Sequence, residues 1–173
     1  MAAASTWMLM ILVGALMTQN ADLIDGVCVF FALTKPVEFV DSALLTLKRN
    51  RPPSFLHMYH HLATAITTRL LVDFDRQMST RHGVMYTFMN LVVHSAMYSY
   101  FAAVCSGFNV PERVKRLLTL TQVLQMCIGV VVATHQVKCG LDDNDETRLG
   151  PAIMMLLLYI SFVRLFTPLL FRR

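Results

Sequence analysis

The sequence predicts an all-α fold: a polytopic bundle of about six membrane-spanning helices in a single domain over residues 1–173. Three observations carry this. Charged residues make up only 15% of the chain and apolar ones 55%, with a mean hydropathy of +0.54. Soluble domains carry about 25% charge. Six apolar stretches, each near the roughly 20 residues a helix needs to cross a bilayer, are separated by short polar connectors. The basic connectors fall on one side of the zigzag and the mixed or acidic ones on the other.

The first stretch, Ala2–Thr18, reads as a span and not as a cleaved leader, because it lacks a basic start and "MTQNAD" is a poor cleavage site. The second, Gly26–Leu47, holds Lys35, Glu38 and Asp41 at a spacing of three, with Pro36 placed to kink the helix. The third, Ser54–Val72, opens on His57, His60 and His61. Pro52 and Pro53 precede it, and Ser54 is positioned to cap it.

The fourth stretch, Gly83–Gly107, repeats Asn90, His94 and Tyr98 every four residues, a polar stripe along one helical face. The fifth, Leu117–Val137, carries Thr119, Gln122 and Gln125 near its start. The sixth, Pro151–Phe171, holds Arg164, expected to pair with Asp41 or Glu38 or to snorkel. His82 and His135 lie near span ends with no supporting pattern.

Orientation follows from the connectors. "KRNR" at 48–51, "PERVKR" at 111–116 and the terminal "FRR" fall on one side. "NADLID", the mixed "DFDRQMSTR" and the acidic "KCGLDDNDETR" fall on the other. Basic loops face the cytosol, so both termini and the histidine group are expected there. A net charge of +4 is too small to point to nucleic acid. Three of the four cysteines, Cys28, Cys105 and Cys127, lie in apolar stretches and read as small packing residues, with Cys139 at a loop.

The polar residues inside the spans suggest chemistry. A charge at the bilayer centre costs about 2.5–3.5 kcal/mol, so Lys35, Glu38 and Asp41 indicate either function or an ion pair that fixes packing. His57, His60 and His61, at i, i+3 and i+4, share one helical face and can converge on one ligand. At a helix N-terminus the dipole favours neutral imidazole, which is nucleophilic. A histidine stripe on the fourth span, facing the first group, would complete a site. Asn90 and Tyr98 are placed to hold the His94 ring. The glutamines suggest the lining of a wet or ligand-filled cavity.

The string "TKPVEFVDSALLTLKRNRPPSFLHMYHH" resembles the signature of the very-long-chain fatty acid elongases, the ELO family, through Lys35, Glu38, Asp41, Ser42, Phe55, Leu56, His57, His60 and His61. "NLVVHSAMYSYF" resembles a second family element through Asn90, His94, Met97, Tyr98 and Tyr100. "TLTQVLQ" resembles a third through Thr119, Gln122 and Gln125, and "LLLYISFVRLF" is similar to the family's last span. The family usually has seven spans, so this chain is expected to be an N-terminally short member or a fragment.

The resemblance implies an acyltransferase, a 3-oxoacyl-CoA synthase of the endoplasmic reticulum membrane. It would condense a long acyl-CoA with malonyl-CoA, releasing carbon dioxide and CoA, with no cofactor and no metal. Membrane lipid, the reductases and dehydratase of elongation, and a second copy of the chain are the partners it suggests. The expected reaction has two stages. A histidine, for which His60 is the candidate, takes the acyl group as an acyl-imidazole, and decarboxylated malonyl-CoA then attacks it. His94 would move a proton or stabilise the enolate, with His57 and His61 orienting His60 or the thioester. Lys48, Arg49 and Arg51 would meet the CoA phosphates. Spacing alone leaves open which histidine attacks.

Two rivals stand beside this reading. A di-iron desaturase or hydroxylase also uses histidine boxes, but its pattern calls for more imidazoles than the six histidines here. A shortened elongase-like chain could also be an inactive partner subunit.

Overall fold

A computed structural model describes the backbone over 2–49, 54–73 and 81–171, and side chains over 4–36, 54–70 and 81–171. The described residues form six helices: α1 (Ala2–Met17), α2 (Ala21–Arg49), α3 (Phe55–Asp73), α4 (Arg81–Cys105), α5 (Glu112–Asp142) and α6 (Glu146–Phe171). No strand occurs among them. The all-α bundle expected from the sequence is what folds. Three helices, α4, α5 and α6, are long and apolar enough to cross a membrane among the described residues.

Helix ends follow local chemistry. Asn20 caps α2, its side-chain oxygen accepting the backbone N–H of Leu23 at 3.0 Å. Ser54 caps α3 as expected, its hydroxyl oxygen accepting the backbone N–H of His57 at 3.2 Å. Asp145 caps α6 by accepting from the backbone N–H groups of Thr147 and Arg148, at 3.1 and 3.4 Å.

One expectation is corrected by α5 and α6. The acidic string "KCGLDDNDETR" reads as a loop, yet α5 runs on to Asp142 and α6 begins at Glu146. Hydropathy marks only the lipid-facing part of a helix. Nothing in Lys138–Asp142 breaks helical geometry once the polar end has left the bilayer. The turn is made by Asn144, whose φ of 51° suits an Asn.

Among the described residues, neighbouring contacts run α1–α2–α3–α6–α5–α4 and back to α1, with α2 also touching α4. The helices therefore close into a ring. Its tightest seam is α5–α6. There Gly129 lies directly under the ring of Tyr159, and a Cβ at that position would collide with the aromatic carbons. Tyr159 stacks on Tyr86 of α4, centroids 5.2 Å apart, so one aromatic pair ties three helices together.

Inside the ring Leu12, Cys28, Thr87, Leu91 and Phe162 are fully buried. The outward faces are apolar too: Trp7, Leu124, Val131 and Leu157 are all exposed. Large apolar side chains on several outer faces suit hydrocarbon better than water.

Candidate active site

Among the described residues, Lys35 of α2 meets Asn90 of α4 and lies near the histidines of α3 and α4. Burial of Lys35 anchors the group. It is 3% exposed, and its ammonium donates to the side-chain oxygen of Asn90 at 3.0 Å. The same ammonium sits 4.0 Å from the centre of the Phe31 ring, a cation–π contact. Asn90 thus braces α4 against α2.

The three histidines of α3 stack as their spacing requires. His57 and His61, one turn apart, have ring centroids 4.4 Å apart, and His60 meets His61 edge-on at 5.4 Å. His57 is exposed at the helix mouth, His61 is buried and His60 is partly covered. The Nδ1 atom of His60 is enclosed and has no hydrogen-bond partner among the described residues.

His94 of α4 is buried beside Tyr98, centroids 5.6 Å apart. Lys35, His60, His61 and His94 lie close enough to interact electrostatically. Imidazoles from two helices therefore share one neighbourhood around a buried cation.

Two residues at the site carry no polar signal in the sequence. Phe162 and Phe166 of α6 wall His60, at centroid distances of 4.8 and 5.6 Å. Beside them Tyr59 and Ser161 share a hydrogen bond of 2.9 Å, which joins α3 to α6. Aromatic residues in an apolar span look like ordinary packing, and only the fold brings them against the imidazole.

On α5, Gln125 is buried and Gln122 donates to the sulfur of Met97 at 3.5 Å. Thr119 is half-buried, and its hydroxyl donates back to the carbonyl of Lys115. Arg164 is exposed, as a snorkelling side chain would be. The side chains of Glu38, Asp41, Lys48 and Arg49 lie outside the described residues, as does all of Arg51. Phe101 points outward, while Phe88 packs on the core.

An open apolar groove of about 300 Å³ runs between α2 and α3, lined by Val29, Ala32, Leu33, Pro36, Ala65, Ile66 and Arg69. Ala65 and Arg69 continue the helical face of His57 and His61 at steps of four. The groove therefore lies along the histidine-bearing face of α3, deeper into the helix.

The chain is similar to known proteins along most of its length. The ELO family model, described as GNS1/SUR4, matches residues 3–173. Fatty acid elongase 2 of Trypanosoma brucei brucei is 34% identical over 148 residues, covering 80% of this chain and 52% of that protein. Very long chain fatty acid elongase 6 of Homo sapiens is 32% identical over 142 residues, covering 82% and 51%. Very long chain fatty acid elongase 3 of Homo sapiens is 29% identical over 136 residues, covering 79% and 48%. The chain spans about half the length of the curated relatives it matches. No solved structure matches it. By the match along 3–173, and by the motifs of α2–α5 that fall within it, the chain belongs to the ELO family.

Proposed function

We propose that the protein elongates fatty acyl chains, condensing a long acyl-CoA with malonyl-CoA to a 3-ketoacyl-CoA two carbons longer, with release of carbon dioxide and CoA. The observation that supports this most is the cluster of His60, His61 and His94 around the buried Lys35. The relatives' names support it too, all being fatty acid elongases. They also disfavour the di-iron desaturase and hydroxylase readings and that of an inactive partner.

Acyl transfer needs a neutral nucleophile with a route for its proton. The rings of Phe162 and Phe166 surround His60 with apolar surface, which suits a neutral imidazole nucleophile. His60 attacks the thioester carbonyl, the C–S bond breaks, and CoA leaves as the thiol with the imidazole's proton. The acyl-imidazole then meets malonyl-CoA. Loss of carbon dioxide leaves an enolate, which attacks the acyl carbon and expels neutral His60 after protonation.

The ammonium of Lys35 supplies fixed positive charge beside the developing oxyanions. His94, steadied by Tyr98, moves the proton. His57 and His61 orient His60 or the thioester. The apolar groove beside α3 suits an acyl tail, and Lys48, Arg49 and Arg51 suit CoA phosphates. The basic connectors support a cytosolic site in the endoplasmic reticulum membrane, where reductases and a dehydratase would consume the product.

The test is direct. Protein reconstituted in nanodiscs is given acyl-CoA and labelled malonyl-CoA, and label in the 3-ketoacyl product is measured. Wild type is expected to incorporate label, and His60→Ala to lose both incorporation and the covalent acyl adduct. An adduct formed by His60→Ala at the wild-type rate would remove His60 from its role. Absence of incorporation by folded wild type across a range of acyl lengths would overturn the condensation itself.

A further inference from the structure

A reactive imidazole is ordinarily fixed by a hydrogen bond at its second nitrogen, most often to a carboxylate or a backbone carbonyl. His60 has none at Nδ1: that atom is enclosed, and no described residue bonds it. The torsion that turns an imidazole about its Cβ–Cγ bond is broad and roughly two-fold. A half-turn there would carry each ring nitrogen to a place a carbon held. At Nδ1, then, packing and not a hydrogen bond is left to set the angle of the ring.

Aromatic rings supply that packing. The Phe162 ring lies 4.8 Å from His60, centroid to centroid, at an interplanar angle of 52°. Phe166, one turn further along α6, lies 5.6 Å away at 73°. His61 closes another side at 5.4 Å and 87°. Phe162 is the centre of this set. It is 2% exposed, and its ring also meets Tyr59 at 5.8 Å and Tyr159 at 6.3 Å, both edge-on. Tyr159 is itself fixed by its stack on Tyr86 of α4 and by its seat over Gly129 of α5. The wall against His60 is thus part of α6 and is backed by α4 and α5.

We propose that Phe162 is a positioning residue for the condensation, setting the angle of the His60 ring by packing where a hydrogen bond ordinarily would, with Phe166 in a lesser share. The consequence for rate rests on the condensation reading; the effect on the ring does not. Phe162 takes no part in the apolar groove, which is lined by residues of α2 and α3. Loss of its ring therefore slows attack and leaves binding of the acyl chain alone. A misplacement of about 1 Å at a reacting centre costs on the order of 100-fold in rate. A leucine at 162 would fill much of the volume, but it lacks the flat face and rigid edge against which the imidazole sits.

Two readouts on the full chain in nanodiscs test this. The first needs no turnover: NMR of histidines labelled in the ring with carbon-13 and nitrogen-15, with His60 assigned by its loss in His60→Ala. Wild type is expected to give one set of His60 ring signals, and Phe162→Leu several sets or exchange-broadened ones. The second is the rate of covalent adduct formation from acyl-CoA alone. Phe162→Leu should fall by about 10- to 100-fold, with the half-saturating acyl-CoA concentration unchanged, whereas Phe162→Tyr, which keeps the ring, should recover most of the loss. Leu12→Val truncates the core on α1, which carries no residue of the site, and should leave both readouts at wild type. Circular dichroism checks each fold, and Phe166→Leu reads the same wall, in the same direction, should Phe162→Leu unfold. One sharp set of His60 signals in the folded leucine variant would overturn the proposal. So would a loss that Leu12→Val reproduces, or a full adduct rate in the leucine variant of an active protein. Wild type that forms no adduct would sink the condensation reading, and the NMR comparison would still decide whether Phe162 sets the ring.

Discussion

Asn90→Leu is the perturbation that most directly probes the buried cation. The substitution removes the acceptor 3.0 Å from the Lys35 ammonium and keeps the volume close. Lys35 is 3% exposed, so water does not replace the lost oxygen. A hydrogen bond to a charged group contributes about 1.5–3 kcal/mol. A loss of about 2 kcal/mol is roughly a 30-fold shift in the folding equilibrium. Removing both partners is different in kind, because the ammonium that donated this hydrogen bond is then gone as well. Lys35→Met/Asn90→Leu is therefore expected to regain much of what Asn90→Leu loses. Unfolding by graded SDS in mixed micelles, followed by circular dichroism, measures all three proteins. Asn90→Leu unfolding at the wild-type point, or a double variant no more stable than Asn90→Leu alone, would refute the view that this bond secures a costly charge.

Gly129→Ala is expected to destabilise the α5–α6 seam by about 1–3 kcal/mol, the scale of overpacking, with much of it restored by adding Tyr159→Leu; thermal melts of the two variants check this. Tyr59→Phe removes the 2.9 Å bond to Ser161 and should cost about 0.5–1.5 kcal/mol in the same SDS assay, with wild-type behaviour counting against any bracing role. The Thr147 hydroxyl, then the backbone N–H groups of Arg148 and Thr147 and the Arg148 charge, hold the Asp145 carboxyl below its usual 3.8 against the opposing effect of desolvation. A depressed carboxyl stabilises the fold above that ordinary value and ceases to do so as pH falls through the folded value. The stability gap between wild type and Asp145→Ala should thus be constant above about pH 5 and close in strong acid; a gap independent of pH would contradict the charge argument.

Much of this was legible in the sequence because it is local. Apolar length announces helices, and the i, i+3, i+4 spacing of His57, His60 and His61 guarantees one face. Ser54 announces its cap. Long-range partners were not legible. Lys35 had a visible neighbour in Glu38, but nothing in the string shows that Asn90, 55 positions away, accepts its hydrogen bond. Phe162 and Phe166 recur at four like any packing residues, so their placement against His60 depends on which helix α6 meets. The α5–α6 turn was misread because hydropathy reports lipid contact, and a helix continues into water at little cost.

The order of helices around the ring bears on how the site is held. Most neighbours in the ring are also neighbours in sequence, but the α3–α6 seam is closed by residues about 100 apart, as the Tyr59–Ser161 separation of 102 shows. That seam is among the lighter ones, while α5–α6 is the heaviest. Local stability follows contact density, so α3 is held on its α6 side chiefly by a few specific contacts. Those contacts sit at the histidines. Tyr59 bonds Ser161, and the next residue on each helix, His60 and Phe162, forms the ring pair of the site. The orientation of the candidate nucleophile is therefore set by closure of the ring and not by α3 alone.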